Sequence, residues 1–233
     1  MKKIKNLKLV KVLLIVLILL ILLWVIYEVS IYSDGKLDNS NPMSREEVIK
    51  LLEKGKTYPN YYYYPESIGI FSDKNKTEYY IKDNIVVCYF NSKISSWIDY
   101  NTGDRITFYG ENKAMVSSNV VGEQINILNQ YGFDYSLIAD IEHFKYDYKY
   151  LGEKEKDGKT LIMVCVWNEE EKGQPVKFSI DKETGLIFER IDYMKLGFLT
   201  VKLTCNRNIK LDSVTNKDVT KPDLTKYEIL GIN

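Results

Sequence analysis

One histidine and three cysteines are all that this chain of 233 residues offers toward metal or thiol chemistry. His143, in Asp-Ile-Glu-His-Phe, excludes a multi-histidine metal site and is a poor start for a Ser-His-Asp triad. Asp140 and Glu142 beside it would suit acid–base work inside a cleft, but in a loop they are surface acids. Cys88, Cys165 and Cys205 form no C-x-x-C pair, and each lies in an apolar run, as small buried hydrophobes do. Export would permit a disulfide between two of them, and spacing does not choose the pair. No P-loop, G-x-G-x-x-G or G-x-S-x-G occurs. Ser33 and Lys36 stand in S-x-x-K spacing, but neither S-D-N nor K-T-G follows, so the match is chance. No catalytic residue, metal ligand or cofactor is assigned, ligand-binding residues are unknown at this level, and the chain reads as non-catalytic.

A basic surplus is missing too. Lysine and arginine total 32, matching 32 acids, and Lys2, Lys3, Lys5, Lys8 and Lys11 all precede the apolar run. The remainder is slightly acidic, which excludes a nucleic-acid partner. Glu169, Glu170 and Glu171 form a solvated charge run at an expected hairpin tip. Tyrosine is abundant, with 19 copies, and suits sheet surfaces where the ring packs and the hydroxyl stays wet.

Residues 12–27 carry no charge and consist almost wholly of large aliphatics. With 28–32 they reach the ~20 residues of a membrane span. Trp24, Tyr27 and Tyr32 fall where an outer aromatic belt would lie, and the five lysines set the N-terminus inside. No small-residue cleavage site follows the run, and no cysteine invites lipid attachment, so an uncleaved signal anchor is expected. The expected organisation is a cytoplasmic tail over 1–11, a transmembrane anchor over 12–32, a polar stalk over 33–43 and an extracytoplasmic domain over 44–233.

Within the domain, Ser44 and Glu47 have capping-box spacing. Val48, Leu51 and Leu52 then form an apolar stripe, and Gly55 is placed to end that helix. Pro59 and Pro65 bracket four tyrosines, which predicts an extended segment. Val176, Phe178 and Ile180 alternate with Lys177, Ser179 and Asp181, and Leu199, Val201, Leu203 and Cys205 with Thr200, Lys202 and Thr204. Tyr146, Tyr148 and Tyr150 share a face. These are antiparallel strands with one wet face. Asp157-Gly158, Lys172-Gly173 and the Lys182–Gly185 segment signal hairpins, with Gly185 at positive φ and Gly110 in a looser connection. The runs 85–90 and 161–167 are apolar on both faces, so cover is needed over the sheet. The first helix, residues 122–132 and a short stretch over 136–141 are the candidate covers. The fold class is α+β: one large antiparallel sheet with a few helices on one side.

The C-terminal half resembles a known family. Tyr150-Leu-Gly-Glu-Lys-Glu-Lys-Asp-Gly158, then the long strand 161–167, then Asp181-Lys-Glu-Thr-Gly185 within a further hairpin, look like the LolA-like lipoprotein carriers over roughly residues 145–211. The resemblance implies an incomplete β-barrel, a large curved antiparallel sheet with a few helices packed on its inner face and an apolar concavity that holds acyl chains in the carriers. Relatives on that fold serve as periplasmic sensors or bind a cell-wall amidase. A tethered chain does not shuttle between membranes, and no binding residue is transferred.

Three functions follow as expectations. The first is a membrane-tethered module binding a lipid or lipoprotein acyl chain in the concavity. The second is an interaction module that docks or regulates an envelope enzyme, using an exposed face such as Tyr61–Tyr64. The third is a hydrolase with an unrecognised acid pair. A membrane, a hydrophobic ligand and an envelope protein are thus the candidate partners.

Overall fold

Short runs rich in β-branched and aromatic residues, several of them joined by two-residue turns, build a sheet that takes up most of the described residues outside the N-terminal helix. The computed structural model describes residues 2–68, 75–118, 147–167, 175–197 and 199–232. The expected helices over 122–132 and 136–141, together with His143, Tyr146, the Glu169–171 run and the Lys172-Gly173 turn, lie outside the described residues.

The first helix, α1 (Lys2–Tyr32), is exposed along its apolar length. Its segment Val12–Ser30 has mean hydropathy 3.1 and is long and apolar enough to cross a membrane. Helix α2 (Arg45–Lys56) begins as its sequence requires. Ser44 Oγ accepts from Glu47 N, and Glu47 Oε2 accepts from Ser44 N at 2.7 Å. This reciprocal cap contributes about 1 kcal/mol. Gly55 does not end the helix. It lies within α2, and the chain leaves at Thr57.

Among the described residues twelve strands follow: β1 (Asn60–Ile68), β2 (Thr77–Lys82), β3 (Ile85–Phe90), β4 (Lys93–Asp99), β5 (Asp104–Tyr109), β6 (Lys113–Ser117), β7 (Asp147–Lys156), β8 (Lys159–Trp167), β9 (Val176–Asp181), β10 (Ile187–Leu196), β11 (Leu199–Leu211) and β12 (Glu228–Ile232). They form one open, curved sheet in the order β12-β6-β5-β4-β3-β2-β1-β11-β10-β9-β8-β7. Among the described residues every strand pairing is antiparallel except β12 with β6, which is parallel. The sheet is therefore mixed rather than wholly antiparallel, because the chain end returns alongside β6.

Tight turns set the register. Asp157 and Gly158 have φ of 53° and 74°, Asp83 and Asn84 of 50° and 65°, and Asn91 and Ser92 of 50° and 65°. Two consecutive left-handed residues match the twist of the flanking strands. Only the first of these turns carries the glycine that makes it conspicuous in sequence.

One face of the sheet receives α2. Val48 and Leu52, fully buried, pack on Ile162, Val164, Phe178, Ile180 and Ile187, each contributing roughly 1.5–3 kcal/mol. The same surface continues across β11 and β1 by register, since Phe178 pairs with Arg190, Arg190 with Cys205, and Ile209 with Tyr63. This is the inner face. The opposite face of β2–β6 is closed by the segment after β11, whose Val214, Val219, Leu224 and Tyr227 pack on Val87, Trp97, Ile106 and Phe108. Trp97 Nε1 donates to Val219 O at 2.9 Å, which pins that cover.

Several strands expected to have one wet face do not. Lys177, Ser179 and Asp181 are buried as fully as Phe178 and Ile180. Thr200 is buried while Leu199 is exposed. The polar residues after α1 account for part of this. Asp34 grips Lys177 Nζ with both carboxylate oxygens at 2.6 Å. Asp38 exchanges backbone hydrogen bonds with Glu153 on the edge strand β7. A Cβ on Gly152 would lie 2.3 Å from Asn39 Oδ1.

The Asp-x-x-Thr-Gly turn locks α2 to the sheet. Asp181 Oδ2 accepts from Thr184 N and Oγ1, and Gly185 N donates to Asp181 O at 2.8 Å. Gly185 has φ +78°, and a Cβ there would lie 1.9 Å from Leu51 O. A Cβ on Gly55 would meet Gly185 O at 2.2 Å. The two glycines thus let helix and turn touch backbone to backbone. Gly110, also at positive φ, faces open space. Gly110→Ala should cost about 1 kcal/mol through φ alone. Gly185→Ala should cost a further 1–3 kcal/mol, roughly, from overpacking. Urea unfolding of both variants checks this, and equal losses would show that the turn does not carry α2.

Candidate functional site

The inner face beyond the footprint of α2 is the main candidate. Tyr61 and Tyr63 of β1 point inward and are 3% and 1% exposed. They are not a docking patch: β1 lies between β2 and β11, and Tyr62 packs beneath the C-terminal cover. Register carries the inward set onward, from Tyr63 to Tyr79 and Cys88, and from Tyr61 to Ile81, Val86 and Ile98. Tyr63 and Tyr79 stack at 4.6 Å with planes 9° apart, and the Arg207 guanidinium lies 5.9 Å from the Tyr63 ring centre. Leu186, Phe188, Ile209 and Leu211 extend the cluster toward α2. The result is a buried, apolar and aromatic-rich layer running from β11 to β4. Among the described residues, the packing of α2 is confined to the other half of the sheet.

Polarity enters this face in a few places. Arg190 is held by Asp192, with Nε donating at 2.8 Å and Nη2 at 2.9 Å, and lies over the Phe178 ring. Ser96, Arg105 and Thr107 follow at the β4–β5 end. Cys88 sits among the tyrosines, and burial pushes its thiol up to about 12. Burial likewise raises Cys165. None of the three cysteines is in a disulfide, and burial works against the thiolate forms of Cys88 and Cys165. Among the described residues no three His, Cys, Asp or Glu side chains gather as a metal set.

Among the described residues two clefts appear. One of about 490 Å³ is lined by Lys156, Lys159, Leu161, Phe188, Arg207 and Ile209, among others, and so borders the inner cluster. Lys159 Nζ lies 5.4 Å from the Phe188 ring centre. The other, of about 570 Å³, lies between Lys36–Asp38 and Glu153–Glu155. Both mix charged and apolar groups in their lining.

The face opposite the inner one is held by buried charge. Glu189, 13% exposed, accepts from Lys154 Nζ at 3.0 Å and Ser179 Oγ at 2.8 Å, and Lys156 Nζ is 3.9 Å away. Burial works against its charge, but the bonds from Lys154 and Ser179 outweigh it and hold the carboxyl below its ordinary range. For Lys177, burial is again opposed and outweighed, here by the Asp34 carboxylate, and its pKa is raised.

No family model matches the chain, and no curated protein sequence does. Similar solved structures exist. An uncharacterized conserved protein from Thermus thermophilus matches 79% of this chain and 98% of its own at 9% identity, TM-score 0.48. MucB, also solved from Pseudomonas aeruginosa with MucA, matches 81% of this chain and 66% of its own at 13% identity, TM-score 0.45. A LolA superfamily protein from Nitrosomonas europaea matches 74% and 96% at 9% identity, TM-score 0.28. At these scores and identities, this chain's own residues must carry the account of its function.

The lowered pKa of Glu189 fixes a sign. Its contribution to stability is present above its unfolded pKa of about 4.3 and is lost as pH falls through the folded value. Glu189→Gln should cost roughly 1.5–3 kcal/mol near pH 7 and should flatten the acid side of the stability–pH curve. Urea titrations from pH 7 to pH 3 check this. Parallel curves for variant and wild type would contradict it.

Proposed function

We propose that this chain is a membrane-tethered, extracytoplasmic binding module whose inner sheet face takes a hydrophobic ligand, a lipid or lipoprotein acyl chain. The observation that carries the reading is the apolar, aromatic inner layer from Tyr61 and Tyr63 through Tyr79, Val86 and Ile98, at most 7% exposed and lying beyond the packing of α2. Each buried methylene contributes about 0.8 kcal/mol. A chain of about a dozen carbons therefore reaches micromolar affinity after the cost of association.

The tether supports the same reading. Five lysines before the apolar run favour an N-in orientation. Near the far end of α1, Tyr27 Oη donates to Thr200 O at 3.1 Å and Thr200 N donates to Glu28 Oε1 at 3.2 Å. With the segment after α1 bonded to β7, a membrane-spanning α1 would hold the sheet near the bilayer surface, where lipid chains are available. Protein docking remains the second reading, and MucB, solved in complex with MucA, is a structural neighbour of that kind.

The test uses the full chain held in a non-ionic amphipol. An apolar dye such as N-phenyl-1-naphthylamine should bind and be displaced by twelve-carbon amphiphiles at Kd below about 100 µM, near −5.5 kcal/mol. Absence of displaceable binding would overturn the hydrophobic-ligand reading and move protein docking into its place.

A further inference from the structure

Three hydrogen-bonding atoms on the inner face lack partners, and they lie together. Ser96 Oγ, Arg105 Nε and Thr107 Oγ1 are buried with no hydrogen-bond partner among the described residues. Thr107 stands directly across from Ser96 in register, and Arg105 stands across from Ile98. Strand alternation therefore sends all three side chains to one face, with directly opposed Cβ atoms about 5 Å apart and diagonal ones about 7–8 Å. Ser96 in turn pairs with Cys88, and Ile98 with Val86, which places the three on the inner face. Ser96 is only 1% exposed. Buried hydroxyls and guanidinium N–H groups are ordinarily bonded, so three orphans in one patch call for an explanation.

Arginine usage sharpens this. The chain has four arginines against 28 lysines. Arg105, Arg190 and Arg207 all belong to the inner set by register. Arg190 is bonded to Asp192. Arg105 has no carboxylate in ion-pair reach among the described residues, since its neighbour Asp104 is engaged by Lys221 at 2.8 Å. A guanidinium supplies only donors, in a planar fork that matches carboxylate and phosphate oxygens, and both hydroxyls can donate as well.

We infer that Ser96, Arg105 and Thr107 form an oxyanion subsite for the head group of an amphiphile whose acyl chain lies on the Tyr79, Val86 and Ile98 surface. This rests on the hydrophobic-ligand reading and narrows it to ligands ending in a carboxylate or phosphate. An uncharged head would bury the cation unpaired, so the subsite selects against it.

The experiment compares dodecanoate, dodecyl phosphate and methyl dodecanoate in the dye-displacement assay on the full chain. At least one anion should bind roughly tenfold or more tightly than the ester, and the tighter of the two identifies the head group. Arg105→Met should erase that preference while leaving ester affinity within about twofold. Ser96→Ala with Thr107→Val should weaken the preferred anion several-fold. If the wild type binds ester and anions equally, the subsite is overturned and the hydrophobic reading stands. If none binds, both fall. Melting without ligand supplies an independent check. Ser96→Ala removes an unbonded buried hydroxyl and should leave the melting temperature unchanged or raise it. A drop of more than roughly 3 °C would show that the hydroxyl is bonded within the protein and would also overturn the proposal.

Discussion

The pairing of β1 with β11 joins two halves that would otherwise be separate sheets. β2 through β6 and β12 lie on one side of it, and β7 through β10 on the other. The register runs from Tyr61 opposite Leu211 to Ile68 opposite Thr204, so the seam closes a loop of more than 130 residues. Closing a loop of that length costs chain entropy before its contacts repay it. It also decides which tyrosines face inward, since a one-residue slip would send Tyr62 and Tyr64 there instead. Pro65 fits this arrangement. β2 pairs with β1 only from Asn60 to Tyr63, so the missing N–H of Pro65 falls where β1 has left its second neighbour.

Local signals with a single physical meaning were readable from residues alone. The Ser44–Glu47 box, the Asp181–Gly185 turn and the apolar runs of β3 and β8 all follow from short-range chemistry. What failed was inference from one strand to its surroundings. Lys177 and Ser179 alternate with Val176, Phe178 and Ile180 as a wet face would, yet they are buried, because Asp34 folds back to neutralise Lys177. Gly55 looked like a helix stop, but its lack of a side chain serves the approach of Gly185 from far along the chain. The turns at Asp83-Asn84 and Asn91-Ser92 carry no glycine, and their left-handed geometry is visible only in the backbone. The candidate anion subsite was illegible for the same reason. Ser96, Arg105 and Thr107 are ordinary residues until register sets them side by side.

Both ends of the chain's polar connector are used in this architecture. Bonds from Tyr27 and Glu28 to Thr200, and from Asp38 to Glu153, tie α1 and the sheet together without a long free linker. On the side away from the inner face, Lys177 with Asp34 and Glu189 with Lys154 are low-exposure ion pairs that would be costly to break singly. The opposite face is thus closed by charge pairs in one half and by the Val214–Tyr227 segment in the other. The inner face carries the buried apolar and aromatic layer of Tyr61, Tyr63, Tyr79, Val86 and Ile98.

That division between faces gives the most direct measurement of the account. A dodecanoic acid bearing a diazirine near its methyl end would be photolysed with the full chain, and its adducts mapped residue by residue. Labels should fall on inward positions such as Val86, Ile98 and Met115. Val87, Trp97 and Ile106, adjacent in sequence or across the same ladder but on the opposite face, should stay unlabelled. Labelling confined to the outward set, or spread without regard to strand alternation, would contradict a ligand seated on the inner face.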